Sequence, residues 1–127
     1  MGTVDVEVRA RSFLERFNEG DLAGLLDLYE PSGCFVAGPG KVAVGLEAIR
    51  DALEAFLALK GNLHFHATSV VHADGLALVS NRWTLKGTGA DGTPVSLEGT
   101  SAEVWRVQPD GTWRFAIDNP FGGNISA

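Results

Sequence analysis

Apolar residues recur with a helical period over the first sixty positions and with a strand period over the rest. Ala10, Phe13, Leu14 and Phe17 stand at i, i+3, i+4 and i+7, which predicts a first helix with one apolar stripe. Gly20 ends it. Asp21 then caps a second helix carrying Leu22, Leu25, Leu26 and Tyr29 at the same spacing, stopped by Pro31, Ser32 and Gly33. Cys34 to Ala37 reads as a short strand, followed by a turn over Gly38, Pro39 and Gly40. A third helix begins near Gly45 with Ile49, Ala52, Leu53 and Phe56 on one face. Lys60 falls in its last turn and Gly61 at the expected left-handed stop.

From Leu63 the period becomes two. Leu63 to His72 forms one strand and Leu76 to Lys86 the next, with a turn over Ala73, Asp74 and Gly75. A hairpin loop over Gly87 to Pro94 leads into a long strand, Val95 to Val107. Pro109, Asp110 and Gly111 turn it into a last strand, Thr112 to Asp118. Helices first and consecutive hairpins later imply an α+β fold, three N-terminal helices packed on an antiparallel sheet, rather than βαβ units.

Composition narrows the function classes. At 127 residues the chain reads as a single domain, residues 1–127, with 45% hydrophobic and 20% charged residues, so it can bury an ordinary core. A formal charge of −6 argues against nucleic acid and anionic membranes as partners. Cys34 is the sole cysteine, which rules out an internal disulfide and suits a reducing compartment. The start, Met1 to Asp5, lacks a cationic and apolar leader, and no apolar run approaches a membrane span. The expectation is a cytoplasmic protein.

Three stretches carry a resemblance. FNEGDLAGLLDLYEPSGCFVAGPG is similar to the helix, Gly-Asp, helix and strand that open the NTF2-like fold, and GLEAIRDAL to the start of its third helix. SNRWTLKGTGADGTPVSLEGTSAEVWRVQPDGTWRFAIDNPFG resembles the DUF4440 (SgcJ/EcaC or YybH-like) branch, near the SnoaL-like polyketide cyclases and ketosteroid isomerases. The resemblance implies a cone: helices closing a strongly curved sheet over an apolar pocket, in a homodimer paired through the outer sheet faces. It implies a small apolar molecule as partner, with cofactor-free isomerase, dehydratase or cyclase chemistry. The alternative is a non-catalytic ligand-binding or protein-interaction module.

Ketosteroid isomerases use a carboxylate base and two oxyanion donors, because the reaction moves a proton beside a carbonyl and stabilises the resulting oxyanion. Matched to this chain, the base falls at Ala37 and the donor tyrosine at Phe13, neither of which can serve. The donor aspartic acid falls at Glu103. Alternation puts Glu103 with Ser101, Trp105 and Val107; on the cavity side it would act as acid or base, and on the other it would pair with Arg82, Arg106 or Arg114. Asp118 shares a face with Arg114 and Ala116. It is either a second carboxyl near the pocket mouth or the start of an Asx turn through Asn119 and Pro120. His64 and His66 are two apart on one strand, with Thr68 and His72 continuing the face. A third metal ligand has no obvious source, so no metal is expected, and His66 is a further candidate for moving protons.

Phe13, Phe17, Tyr29, Phe35, His64, Trp83 and Trp105 are the candidate pocket wall, while core packing and dimer contact account for aromatics equally well. No Gly-x-Gly-x-x-Gly fingerprint, phosphate loop or serine triad is present, so no cofactor is expected.

Overall fold

A computed structural model describes residues 3–122. Met1 and Gly2, part of the stretch read for a leader, lie outside the described residues. Helix α1 spans Thr3–Asn18 and α2 Leu22–Leu26. Strand β1 is Tyr29–Gly38, β2 is Lys41–Val44, and helix α3 is Leu46–Leu57. Strands β3 Asn62–Ala73, β4 Leu76–Thr88, β5 Pro94–Thr100, β6 Ala102–Val107 and β7 Trp113–Asn119 follow.

Helix α1 buries Val6, Ala10 and Phe17 on its apolar stripe, and Gly20 (φ 71°) turns the chain out of it. The Asp21 carboxylate accepts the Gly24 amide at 2.9 Å, as an N-cap should. Helix α2 is only one turn long. Tyr29 opens β1 instead of continuing the helix, and Pro31 to Gly33 lie within the strand. Helix α3 ends at Leu57, so Lys60 lies beyond its last turn, and Lys60 (φ 49°), not Gly61, takes the left-handed conformation. Gly61 is needed for space: a Cβ there would sit 2.7 Å from the Lys86 carbonyl oxygen.

One seven-stranded sheet runs β2-β1-β7-β6-β4-β3, with β5 also paired to β4. It is mixed rather than wholly antiparallel, because β1 runs parallel to β7. The long strand expected from Val95 to Val107 is broken at Ser101. Upstream, β5 pairs with Arg82–Thr88 of β4; downstream, β6 pairs with Leu76–Val79 of the same strand. Helix α1 contacts β7 and, three strands further along the sheet, β3, so the sheet wraps around the helix. Register shifts in β1, β3 and β7 supply bends of this kind.

Two of those shifts change which side chains face inward. In β3 the extra residue is His66: Phe65 pairs with Trp83 and Ala67 with Arg82. In β7 it is Ala116: Phe115 pairs with Trp105 and Ile117 with Val104. Strict alternation fails beyond each, because one inserted residue flips every later side chain to the other face.

Candidate functional site

The concave face of the sheet and helices α1 and α3 enclose an open-mouthed cavity of about 620 Å³, its mouth included. Eight aromatic residues make up half of its lining: Phe13 and Phe17 from α1, Phe56 from α3, and Phe35, Phe65, Trp83, Phe115 and Phe121 from the strands and the C-terminal turn. The polar wall residues are Ser101, Glu103 and Asp118; among the described residues no lysine, arginine or histidine lines it. Beneath it, the Phe115 ring packs against Tyr29 and Trp105, with centroids 4.7 and 3.8 Å away. Trp83 Nε1 donates to the Pro120 carbonyl at 2.7 Å, and Phe121 stands edge-on to its indole.

Glu103 and Asp118 are direct cross-strand partners on β6 and β7. Both are buried, at 6% and 4% exposure. The bulge at Ala116 accounts for Asp118. It faces the cavity with Phe115, and not with Arg114 and Ala116 as unbroken alternation requires. Nor does Asp118 make the turn that follows: Asn119 Oδ1 accepts the Phe121 amide at 3.2 Å.

The two carboxyls differ in their surroundings. Glu103 Oε2 accepts from Asn81 Nδ2 at 3.0 Å and from Ser101 Oγ at 2.7 Å; Oε1 accepts from Trp105 Nε1 at 3.0 Å. The direction of these bonds is constrained. An indole N–H only donates, and Ser101 Oγ already accepts the Asn81 amide at 2.9 Å, leaving its proton for Glu103. Thr68 Oγ1 donates to Asn81 Oδ1 at 2.6 Å, which turns the Asn81 amide nitrogen toward Glu103. The Asp118 carboxyl receives one bond, from the Tyr29 hydroxyl to Oδ2 at 2.5 Å, and its Oδ1 has no partner among the described residues.

Burial therefore pushes both carboxyls up, but unequally. For Glu103 desolvation raises the pKa, and the bonds from Ser101, Trp105 and Asn81 oppose it. For Asp118 desolvation and then the Glu103 charge raise it well above the ordinary aspartate range, with only the Tyr29 bond opposing. Glu103 thus has three donors favouring its charged form, and Asp118 one. Tyr29 is in turn raised well above 10.0, by burial first and then by Asp118, so its phenol stays neutral.

Several expected residues sit elsewhere. Phe13, Phe17, Phe35 and Trp83 are in the wall, whereas Tyr29 and Trp105 lie beneath it and reach the site through Asp118 and Glu103. His64 and His66 are exposed, outside the cavity, and His66 Nε2 is 2.9 Å from Thr84 Oγ1. The bulge also separates Thr68 from them by turning it to Asn81. No group of three potential metal ligands occurs among the described residues. The arginines expected opposite Glu103 are engaged elsewhere or apart from it: Arg106 pairs with Glu30 at 3.0 Å and Arg114 with Asp27 at 3.5 Å. Asn81 and Ser101 carry no sequence signal beyond being polar residues at inward strand positions, which is a usable one.

A half-open mixed sheet curled over helices is the architecture of the NTF2-like class. Within it the chain belongs to the SnoaL-like domain family, whose model matches residues 10–116; that match is to the SnoaL-like model and not to the DUF4440 branch. Among curated proteins none matches. An NTF2-like superfamily protein from Salmonella enterica serovar Typhimurium is similar in structure, with a TM-score of 0.81, 19% identity, and 92% of this chain and 89% of that one covered. A ketosteroid isomerase-like protein from Erwinia carotovora atroseptica gives 0.81 at 21% identity, covering 91% and 92%. Aln2 from a Streptomyces species gives 0.77 at 20%, covering 91% and 86%. At such identities these likenesses speak for the fold.

Proposed function

We propose that this single-domain protein binds a small, mostly apolar molecule in its cavity and moves protons on it without a cofactor, as an isomerase, dehydratase or cyclase does. The observation that carries this reading is the Asp118 carboxyl, which lines a mostly apolar hollow, is raised well above the ordinary aspartate range by burial, and has no partner for Oδ1 among the described residues. In the forward step the Asp118 proton goes to a basic atom of the ligand. The resulting carboxylate then takes a proton from a neighbouring carbon, which returns the site to its starting state. Phe13, Phe17, Phe35 and Trp83 hold the ligand frame and keep water out, while Glu103 holds the charge that keeps Asp118 a weak acid. His64 and His66 take no part.

Solvent exchange tests this. With 2-tetralone as probe in D2O, the protein should speed deuterium entry beside the carbonyl, and Asp118→Asn should abolish that rate. Binding without exchange favours the ligand-binding module; neither binding nor exchange removes the reading.

The same proposal includes a homodimer. A cross-strand row on the outer sheet face, Val71, Leu78, Val104, Ile117, Cys34 and Val44, runs in register over all six strands of the main path. Val71, Leu78, Ile117 and Val44 are exposed. A second copy laid across this row would remove it from water without a charged residue in the row itself. No helix among the described residues is long and apolar enough to cross a membrane. A cytoplasmic location belongs to this reading, in keeping with Cys34 as a free thiol.

A further inference from the structure

We infer that the cavity selects a cationic ligand, an apolar amine carried in as its ammonium ion, over neutral and anionic molecules of the same frame. The inference rests on the cavity being a ligand site, and it adds the charge of the ligand.

Glu103 is 6% exposed and is held by three donors arranged for a carboxylate, yet no ion pair among the described residues reaches it. Buried charges in proteins are ordinarily paired, because hydrogen bonds alone leave part of the desolvation cost unmet. The wall offers no cation from the described residues. With one charge on the carboxyl pair, an ammonium ligand brings the site to zero, a neutral ligand leaves it unchanged, and a carboxylate ligand doubles it.

The rest of the wall suits that ion. Phe13, Phe35, Phe56, Phe65, Phe115 and Trp83 present rings around the hollow, and an ammonium over a ring face is attracted by its quadrupole. The overall charge of −6 favours approach of a cation.

The test holds the frame fixed and varies the charge. Calorimetric titration at pH 7 compares 2-aminotetralin, 2-tetralol and tetralin-2-carboxylate against the full chain. The amine should bind at least about tenfold more tightly than the alcohol, a difference of about 1.4 kcal/mol, and the carboxylate should show no binding. Glu103→Gln combined with Asp118→Asn, which removes both carboxyl charges and is checked for folding by circular dichroism, should shrink the amine's advantage to about twofold or less; if the variant does not fold, the wild-type series decides alone. An alcohol that binds as tightly as the amine overturns the inference while leaving the cavity reading and its exchange test intact. Absence of binding by both amine and alcohol overturns the inference together with the cavity reading.

Discussion

The Tyr29 hydroxyl donates to Asp118 Oδ2 at 2.5 Å across 89 residues of sequence. The bond crosses a parallel strand pair, β1 with β7, where Tyr29 is registered to Phe115 and Phe35 to Asp118. Among the described residues it is the one hydrogen bond to the Asp118 carboxyl and the one influence that lowers its pKa. Tyr29→Phe keeps the ring against Phe115 and removes the donor. The expected outcome is a still higher Asp118 titration, followed by its carboxyl 13C shift; an unchanged or lower midpoint would show that the phenol does not act on it.

Stability should carry the imprint of Asp118. Its folded pKa is raised, so between about 3.9, the unfolded aspartate value, and the folded value the native chain holds the extra proton. Stability contributed by this group is thus full below that window and is lost as pH rises through it. Glu103 acts in the same direction. Urea midpoints of wild type and Asp118→Asn, measured from pH 4 upward, should diverge in favour of the variant as pH increases. Parallel curves would mean that Asp118 titrates normally.

Glu103→Gln should be costly even though it removes a buried charge. Donors reach both oxygens, so a glutamine amide group meets an N–H or O–H in either orientation. A loss of about 1–3 kcal/mol in chemical denaturation is expected from the unsatisfied donors. The same change removes the charge that helps raise Asp118, so the Asp118 titration should fall. A neutral effect on both would mean that Glu103 is already protonated in the folded protein.

The outer face should decide the oligomeric state. Light scattering at micromolar concentration is expected to give twice the chain mass, and Leu78→Asp with Ile117→Asp should return it to one. These side chains are exposed and adjacent to Val104 on neighbouring strands, so the variants should keep the fold of the single chain. A wild-type mass of one chain removes the dimer.

The sequence disclosed the parts whose physics is local. The stripe of α1, the Asp21 cap and the stop at Gly20 follow from period and turn chemistry, and alternation groups Glu103 with Ser101 and Trp105 without fixing which face turns inward. What it concealed depends on pairing. Nothing about Ala116 or His66 as residues marks a bulge, yet each inverts the faces beyond it, which is why simple alternation sets Asp118 beside Arg114 and Thr68 beside His66. The short edge strand β2 is stabilised by Cys34 to Gly38 across the Gly38–Gly40 turn, and its own four residues have no pattern to read. Tyr29 fits the helical stripe of α2 by spacing, but its hydroxyl finds a partner only on β7.

The protonation of Asp118 is the point on which the account turns, and carboxyl 13C NMR of the ligand-free protein measures it directly. The account predicts a midpoint well above the ordinary aspartate value of about 3.9, moving lower in Glu103→Gln. An Asp118 carboxyl that titrates near that ordinary value, indifferent to Glu103, would contradict it.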